Sequence, residues 1–324
     1  MAEQVRLTGR VPPEMAGRRL DQALAALFPD YSRSRLQQWL RDGRALLDGA
    51  VSSPDARVAG GETVSIDAEL EASADVAAQP IALDVVYEDP TLLVINKPAG
   101  MVVHPAAGNR DGTLQNALLH RDASLAALPR YGIVHRLDKD TSGLLVVART
   151  LAAHHALVRQ LQARSVHREY LAVVNTVPPA GGTIDAPIGR HPRDRLRMAV
   201  VTNGKPAVTH YRVLERYRAH ALIAVRLETG RTHQIRVHMA SQRMPLVGDP
   251  LYGGRLRLPV GSGKELTDAL CSFGRQALHA RKLGLTHPES GETVAWEAPV
   301  PSDLQLLIDA LRADMADSNR EPDA

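Results

Sequence analysis

Cysteine is almost absent: Cys271 is the one thiol in 324 residues, so no intrachain disulfide can form and no Cys-rich zinc site can be built, as a reducing compartment would have it. Aromatic residues amount to 3%, too few for the stacking platform on which single-strand binders lay successive bases. No run of about 18 apolar residues occurs, and Glu3, Arg6 and Arg10 interrupt the start of the chain where a secretion signal needs an unbroken apolar stretch. The expectation is a cytoplasmic protein that does not enter a membrane. Lysine is scarce as well, at five of the 39 basic residues, the rest being arginine. A GC-rich genome produces that bias, and so does a polyanionic partner, because a guanidinium fork grips phosphate oxygens with two parallel hydrogen bonds. Composition leaves both readings open.

Several chemistries fail for want of their motifs. Gly263-Lys264 is followed by Glu265, and the place where a phosphate loop needs its first glycine is Leu258. No G-x-G-x-x-G follows a strand-like run, so no nucleotide cofactor is expected. No H-E-x-x-H occurs among 13 histidines, and His233 and His238 are spaced to different faces of a helix, so no metal is expected either. His135-Arg136-Leu137-Asp138 lacks the Gly-rich loop and D-F-G of a kinase, and there is no G-x-S-x-G elbow.

What is present is enough chain for two or three compact units with 44% hydrophobic residues. Residues 1–75 carry 9 Arg against 12 Asp or Glu, a balance of −3, and the remainder carries +6. The segment ELEASADVAAQP, residues 69–80, lacks periodicity and reads as a linker. Residues 312–324 read as a disordered acidic tail. In the first unit, Leu20, Ala23, Leu24, Leu27 and Phe28 form a helical stripe stopped by Pro29 and Asp30. Ser32 can cap a second helix with an apolar face at Leu36, Trp39 and Leu40 and with Arg33, Arg35, Arg41 and Arg44 around it. Ala45–Leu47 and Ala50–Val51 flank Asp48-Gly49 as a short hairpin, and 62–66 supplies another strand.

The second unit, 81–311, shows strand-like runs at 84–87, 92–96, 144–148, 170–174, 209–213 and 222–227 and helical stretches at 114–120, 151–162, 233–240 and 304–311. Without regular βαβ alternation the pattern predicts an α+β domain on an extended, mainly antiparallel sheet. One polar stretch stands out: His135, Arg136, Asp138, Lys139, Asp140, Thr141 and Ser142, between an apolar approach and the run Leu144–Ala148. A sheet edge presents a catalytic loop in this way, and an ordinary turn with satisfied polar residues looks the same.

Longer strings carry two resemblances. Residues 18–66 resemble the alpha-L RNA-binding module, shared by a small-subunit ribosomal protein and several RNA-modifying enzymes, which implies an RNA grip at Arg33, Arg35, Arg41 and Arg44. HRLDKDTSG resembles the signature of the uracil-RNA pseudouridine synthases of the large-subunit rRNA class. INKPAGMVVHP before it and REYLAVV, GRHP, ETGRTHQIRVHMA, GDPLYGG and QALHA after it stand in the order of that family.

The resemblance implies isomerisation of uridine to pseudouridine in a large-subunit rRNA stem-loop or a pre-ribosomal particle. It implies Asp138 as the catalytic carboxylate, Arg236 as its ion-pair partner and Tyr170 as the residue stacking on the flipped base. A surface helix arginine and a core tyrosine are the plain alternatives for the last two. Arg136 is the candidate to fill the gap left by the base, with phosphate contact as its alternative. Arg190, Arg193, Arg195 and Arg197 read as a mobile basic loop that closes on the backbone or merely faces water. Breaking one glycosidic bond and remaking it at carbon 5 involves no redox change and no outside group, so no cofactor is expected, and the protein is expected to be a monomer. A retired, RNA-binding relative of such enzymes has no reason to keep Asp138, Arg236 and Tyr170 together.

Overall fold

The computed structural model describes residues 3–29, 31, 33–70, 76–105, 109 and 111–318. It falls into two compact units, Met1–Ala77 with Ala123–Tyr131, and Ala78–Asp122 with Gly132–Ala324.

The first unit runs β1 (Glu3–Arg10), α1 (Leu20–Leu27), α2 (Arg33–Arg41), β2 (Ala45–Leu47), β3 (Ala50–Val51) and β4 (Thr63–Leu70), with sheet order β1-β4-β2-β3. The stripe foreseen for α1 and the apolar face of α2 meet in one core, where Leu20, Leu24, Leu36 and Leu40 are fully buried beside Trp39, Val64 and Ile66. Asp48 and Gly49 take φ of 48° and 79°, the left-handed pair that a two-residue hairpin turn demands. The sequence reading omitted β1, whose pattern of Val5 and Leu7 among charged residues is weak. The strand forms because its eight residues pair with β4 from Glu3↔Leu70 to Arg10↔Thr63. Asp30 and Ser32, read as helix stop and cap, lie outside the described residues.

The second unit contains β5 (Val85–Glu88), β6 (Leu92–Lys97), α3 (Leu114–Arg121), β7 (Ser142–Ala148), α4 (Leu151–Gln162), β8 (His167–Val174), β9 (Gly182–Asp185), β10 (Ile188–Arg190), β11 (Met198–Val200), β12 (Val208–Arg216), β13 (Ala221–Leu227), α5 (Gln234–Ser241), α6 (Lys264–Ser272), β14 (Leu278–Thr286), β15 (Thr293–Glu297) and α7 (Ser302–Ser318). Its main sheet runs β5-β6-β7-β14-β8-β13-β12-β9, with β15 on β14. Every pairing is antiparallel except β7 with β14. The α+β class with a mainly antiparallel sheet is therefore the observed one.

Local chemistry sets the helix starts. Thr113 and Asn116 form a capping box at α3, and the Thr150 hydroxyl accepts from Ala153 N–H at the start of α4. One core gathers α6, α7 and the β8 residues Leu171 and Val173, and another gathers α4, β6 and β7. Strand alternation puts Tyr170 on the face of β8 opposite Leu171 and Val173.

Three expectations are corrected. Residues 312–318 are not a disordered tail but the last turns of α7, because Leu304, Leu307, Ile308 and Leu311 are buried and Arg218 ties down Asp314 at 2.6 and 2.7 Å; residues 319–324 lie outside the described set. The supposed linker is shorter: β4 continues to Leu70, and Gln79 bonds Asn116 O and Gly112 N–H, while 71–75 lie outside the described residues. The basic run from Arg190 is a built hairpin rather than a loose loop. Arg190 pairs with Met198, and His191 Nδ1 accepts from the N–H groups of Arg193 and Asp194.

Candidate active site

The polar loop sits between Leu137 and β7, and its shape is held from below. Lys97 closes β6 with its side chain fully buried, and its ammonium donates to the carbonyls of Pro98 (2.7 Å), Met101 (2.9 Å) and Lys139 (3.0 Å). Burial pushes its pKa down to about 8, against the favourable charges of Asp140 and Asp138. Gly100 N–H also donates to Lys139 O, Thr141 N–H to Asp138 O, and Arg275 Nη1 to Asp140 O at 3.2 Å. Arg275 is itself clamped by Asp303 at 2.6 and 2.8 Å. The loop leaves through Gly143, where φ is +114° and a Cβ would stand 2.3 Å from Ala280 O, so no other residue fits there.

Ala280 is the register partner of both Gly143 on β7 and Tyr170 on β8. Tyr170 therefore stands across the sheet from the end of the loop. Burial pushes its phenol pKa up, Arg168 opposing and Asp138 adding to the shift, which keeps the phenol protonated at neutral pH.

Arg236, in the first turn of α5, reaches Asp138. Its Nη1 donates to Asp138 Oδ2 at 3.1 Å, while Nε and Nη2 form a two-pronged pair with Asp249 at 2.7 and 2.9 Å. The side chains of Arg236, Asp249 and Asp138 are 5%, 0% and 17% exposed, so the bridge is dry on one side and open on the other. Burial opposes the charge on Arg236, but hydrogen bonding and charge from Asp249, then from Asp138, raise its pKa, and it is cationic at any working pH. Asp249 is fixed in turn by the N–H groups of Leu251 and Tyr252 at 2.9 and 3.0 Å. The second oxygen of Asp138 lies 4.0 Å from His233 Nε2. An aimed carboxylate with one oxygen held and one free is the equipment of a nucleophile or a base.

The remaining predicted residues fall into three groups. Arg136 is exposed, two residues before Asp138, and its charge reaches His233. On the β10–β11 hairpin, Arg190, Arg193 and Arg195 are exposed, Arg190 Nη1 bonding Arg195 O, whereas Arg197 lies over the Tyr252 ring at 5.2 Å. In the first unit, Arg41 and Arg44 are exposed and Arg35 is half-buried. Arg33 holds both oxygens of the buried Asp21 at 2.8 and 2.9 Å, so it ties α2 to α1. Sequence reasoning missed Lys97, His233, Asp249, Tyr252 and Arg275. Four of them sit in INKPAG, GRTHQIR and GDPLYGG, strings in which the resemblance gives a role to Arg236 alone. Among the described residues no three His, Cys, Asp or Glu side chains gather as a metal site, and no helix is long and apolar enough to cross a membrane. His238, whose ring nitrogens meet Thr209 Oγ1 and Ala186 O at 2.8 and 2.9 Å, is a packing residue.

Three histidines of this unit carry a prediction. Burial pushes the pKa of His135 down to about 3 and those of His220 and His279 to about 4. Each folded value lies below the unfolded value of about 6.5, so the unfolded chain takes up the extra protons. Their contribution is fully present above pH ~6.5 and is lost as pH falls towards 4, at up to about 1.4 kcal/mol per pH unit for each group. Thermal melts between pH 7 and 4.5 should show a falling Tm; a level Tm across that window would contradict the assignment.

The comparisons agree with the geometry. The family described as RNA pseudouridylate synthase matches residues 91–241, and the S4 domain matches 18–64, where the alpha-L resemblance lies. Proteins called ribosomal large subunit pseudouridine synthase D are similar over nearly the whole chain. The one from Xanthomonas campestris is 61% identical over 94% of this chain and 92% of its own. Those from Pseudomonas aeruginosa and Escherichia coli are 57% and 54% identical, over 97% and 100% of this chain and 98% and 99% of theirs. Among solved structures, human RNA pseudouridylate synthase domain containing 4 superposes with a TM-score of 0.57 at 29% identity, over 71% of this chain and 93% of that one. The chain belongs to the RNA pseudouridylate synthase family. It is an enzyme that isomerises uridine in RNA to pseudouridine, with an S4 RNA-binding domain ahead of the synthase domain.

Proposed function

We propose that the protein modifies specific uridines in a stem-loop of large-subunit rRNA, free or in a pre-ribosomal particle, as a cytoplasmic monomer that needs no nucleotide cofactor or metal. The observation that carries the substrate is similarity of 54–61% identity along nearly the full length to enzymes whose names specify the large ribosomal subunit, the S4 part included. In this reading residues 1–75 grip RNA and 81–311 perform the chemistry. Asp138 attacks or deprotonates the target nucleoside, Arg236 holds the carboxylate, and Tyr170 stacks on the flipped uracil. Arg136 fills the vacated stack, and Arg190, Arg193 and Arg195 meet the backbone.

Mapping pseudouridine on rRNA from cells with and without the protein tests the substrate. Sites should vanish from the large-subunit rRNA; loss confined to transfer RNA would overturn the reading.

The RNA grip of the first unit has its own test. Arg33 is occupied by Asp21 and Arg35 is half-buried, so the informative variant replaces the exposed Arg41 and Arg44 by Ala. Affinity should fall, and the slope of log affinity against log salt should flatten by up to about 0.7 to 0.9 for each phosphate no longer neutralised. Turnover on saturating RNA should stay near normal. An unchanged slope would make this helix a solvated face.

A further inference from the structure

Asp138 has two oxygens, and the bridge to Arg236 accounts for one. The other faces His233 Nε2 at 4.0 Å, too long for a hydrogen bond, and has no nearer side-chain partner among the described residues. His233 stands at the N-terminal boundary of α5 with φ 55° and ψ 22°, a left-handed conformation costly for a residue with a Cβ. Its side chain is held from behind. Nδ1 lies 2.9 Å from the Tyr252 hydroxyl, and that hydroxyl accepts the Met198 N–H at 2.9 Å. The Tyr252 ring meets the imidazole edge-on at 5.7 Å and is flanked by the guanidinium groups of Arg236 and Arg197 at 5.1 and 5.2 Å.

Donor and acceptor arithmetic favours one tautomer. A backbone N–H can only donate, so the Tyr252 oxygen accepts from Met198; its phenol proton then has His233 Nδ1 as its acceptor among the described residues, and donating there leaves neither group's hydrogen without a partner. An acceptor Nδ1 places the imidazole proton on Nε2, the nitrogen that faces Asp138. Protonating Nδ1 as well would force the phenol proton to turn away and give up that acceptor. Burial and the charges of Arg236 and Arg136 also disfavour the imidazolium, outweighing Asp138 and Asp249, which favour it.

We propose that His233 is a positioning residue for Asp138, its neutral ring locked by Tyr252 so that Nε2–H closes on the free carboxylate oxygen when RNA is bound. Long contacts in a free enzyme tighten in this way once substrate is in place. Arg236 and His233 then fix the rotation of the carboxylate between them. The proposal rests on Asp138 being the reacting carboxylate. The tyrosine belongs to the same device, since without its hydroxyl either imidazole nitrogen can carry the proton. The path from Met198 starts at the foot of the arginine-bearing hairpin, so the residue that orients the carboxylate is anchored to the element proposed to meet the RNA backbone.

The test uses the full-length protein. In nitrogen-15 spectra of histidine-labelled enzyme, His233 should show the neutral Nε2–H form from pH 6 to 8, identified by loss of its signals in His233→Ala. Tyr252→Phe should produce a tautomer mixture. Turnover of His233→Ala at saturating RNA should fall roughly 10- to 100-fold, the scale of an ångström-sized misplacement of a reacting group, with KM little changed. His233→Gln, which restores an N–H at similar reach, should recover part of the loss. A neutral Nδ1–H form in the unaltered enzyme overturns the proposal, as does wild-type turnover in a folded His233→Ala. If His233→Ala does not fold, the tautomer in Tyr252→Phe decides, an unchanged Nε2–H form counting against the device. Asp138→Asn separates the two levels. If it stays active, the carboxylate assignment itself falls; if it is inactive while His233→Ala is normal, only the positioning role falls.

Discussion

Asp138→Asn should lower turnover on the order of 10⁴-fold or more while the protein stays folded and binds RNA as before. The substitution keeps the size of the side chain and removes its nucleophilic oxygen. None of the contacts that shape the loop among the described residues depends on that oxygen. Lys97 holds Lys139 O, Gly100 N–H reinforces it, Thr141 N–H returns to Asp138 O, and Arg275 holds Asp140 O. Arg236 also keeps both prongs on Asp249. Tritium release from RNA labelled at carbon 5 of uracil reads the reaction directly, because rejoining the base at carbon 5 expels that hydrogen. Release within tenfold of the wild-type rate would remove Asp138 from the chemistry and leave its bridge to Arg236 as a structural pair.

The sequence disclosed some of this arrangement and concealed the rest for identifiable reasons. Periodicity found α1, α2 and α4 because each has a one-sided apolar stripe with a core to meet, and it found the β2–β3 hairpin through Asp48-Gly49. It missed β9, β10 and β11, which have three or four residues each and are defined by their partners rather than by pattern. It missed α6, whose core-facing residues are Leu266 and Leu270 in an otherwise polar segment. Asp138 and Arg236 stood out through strings that resemble a family, but the bridge between them spans 98 residues and no local rule announces it. Asp249 was hidden more deeply. Its role is to neutralise the side of Arg236 that faces away from Asp138, and that need exists only once the guanidinium is buried. Lys97 illustrates the same point. A lysine at a strand end reads as a surface charge, and only the three converging carbonyls explain why it lies inside.

Arg236→Ala should damage stability and turnover together, and a compensating variant should pull the two effects apart. Removing the guanidinium leaves the fully buried Asp249 with its backbone donors but without its two cationic bonds, and it strips Asp138 of its partner at 3.1 Å. Breaking a buried pair from one side costs about 3–5 kcal/mol. For a unit of this size that corresponds to a Tm lower by roughly 6 to 20 °C. Turnover should fall about 10²- to 10³-fold, the usual effect of deleting one preorganised charge from an active site. Arg236→Lys keeps a cation, but a compact ammonium cannot serve two carboxylates with a planar fork, so it should recover more stability than rate. The decisive variant is Arg236→Met combined with Asp249→Leu, which replaces the buried pair by apolar side chains and leaves no unpaired charge at position 249, only the partly exposed one on Asp138. Its melting temperature should recover part of the loss, short of the unaltered protein because the N–H groups of Leu251 and Tyr252 lose their acceptor, while turnover remains low, because Asp138 still lacks the cation that aims it. If turnover rose with stability, Arg236 would serve the fold alone, and the carboxylate would owe its orientation to the loop anchored on Lys97.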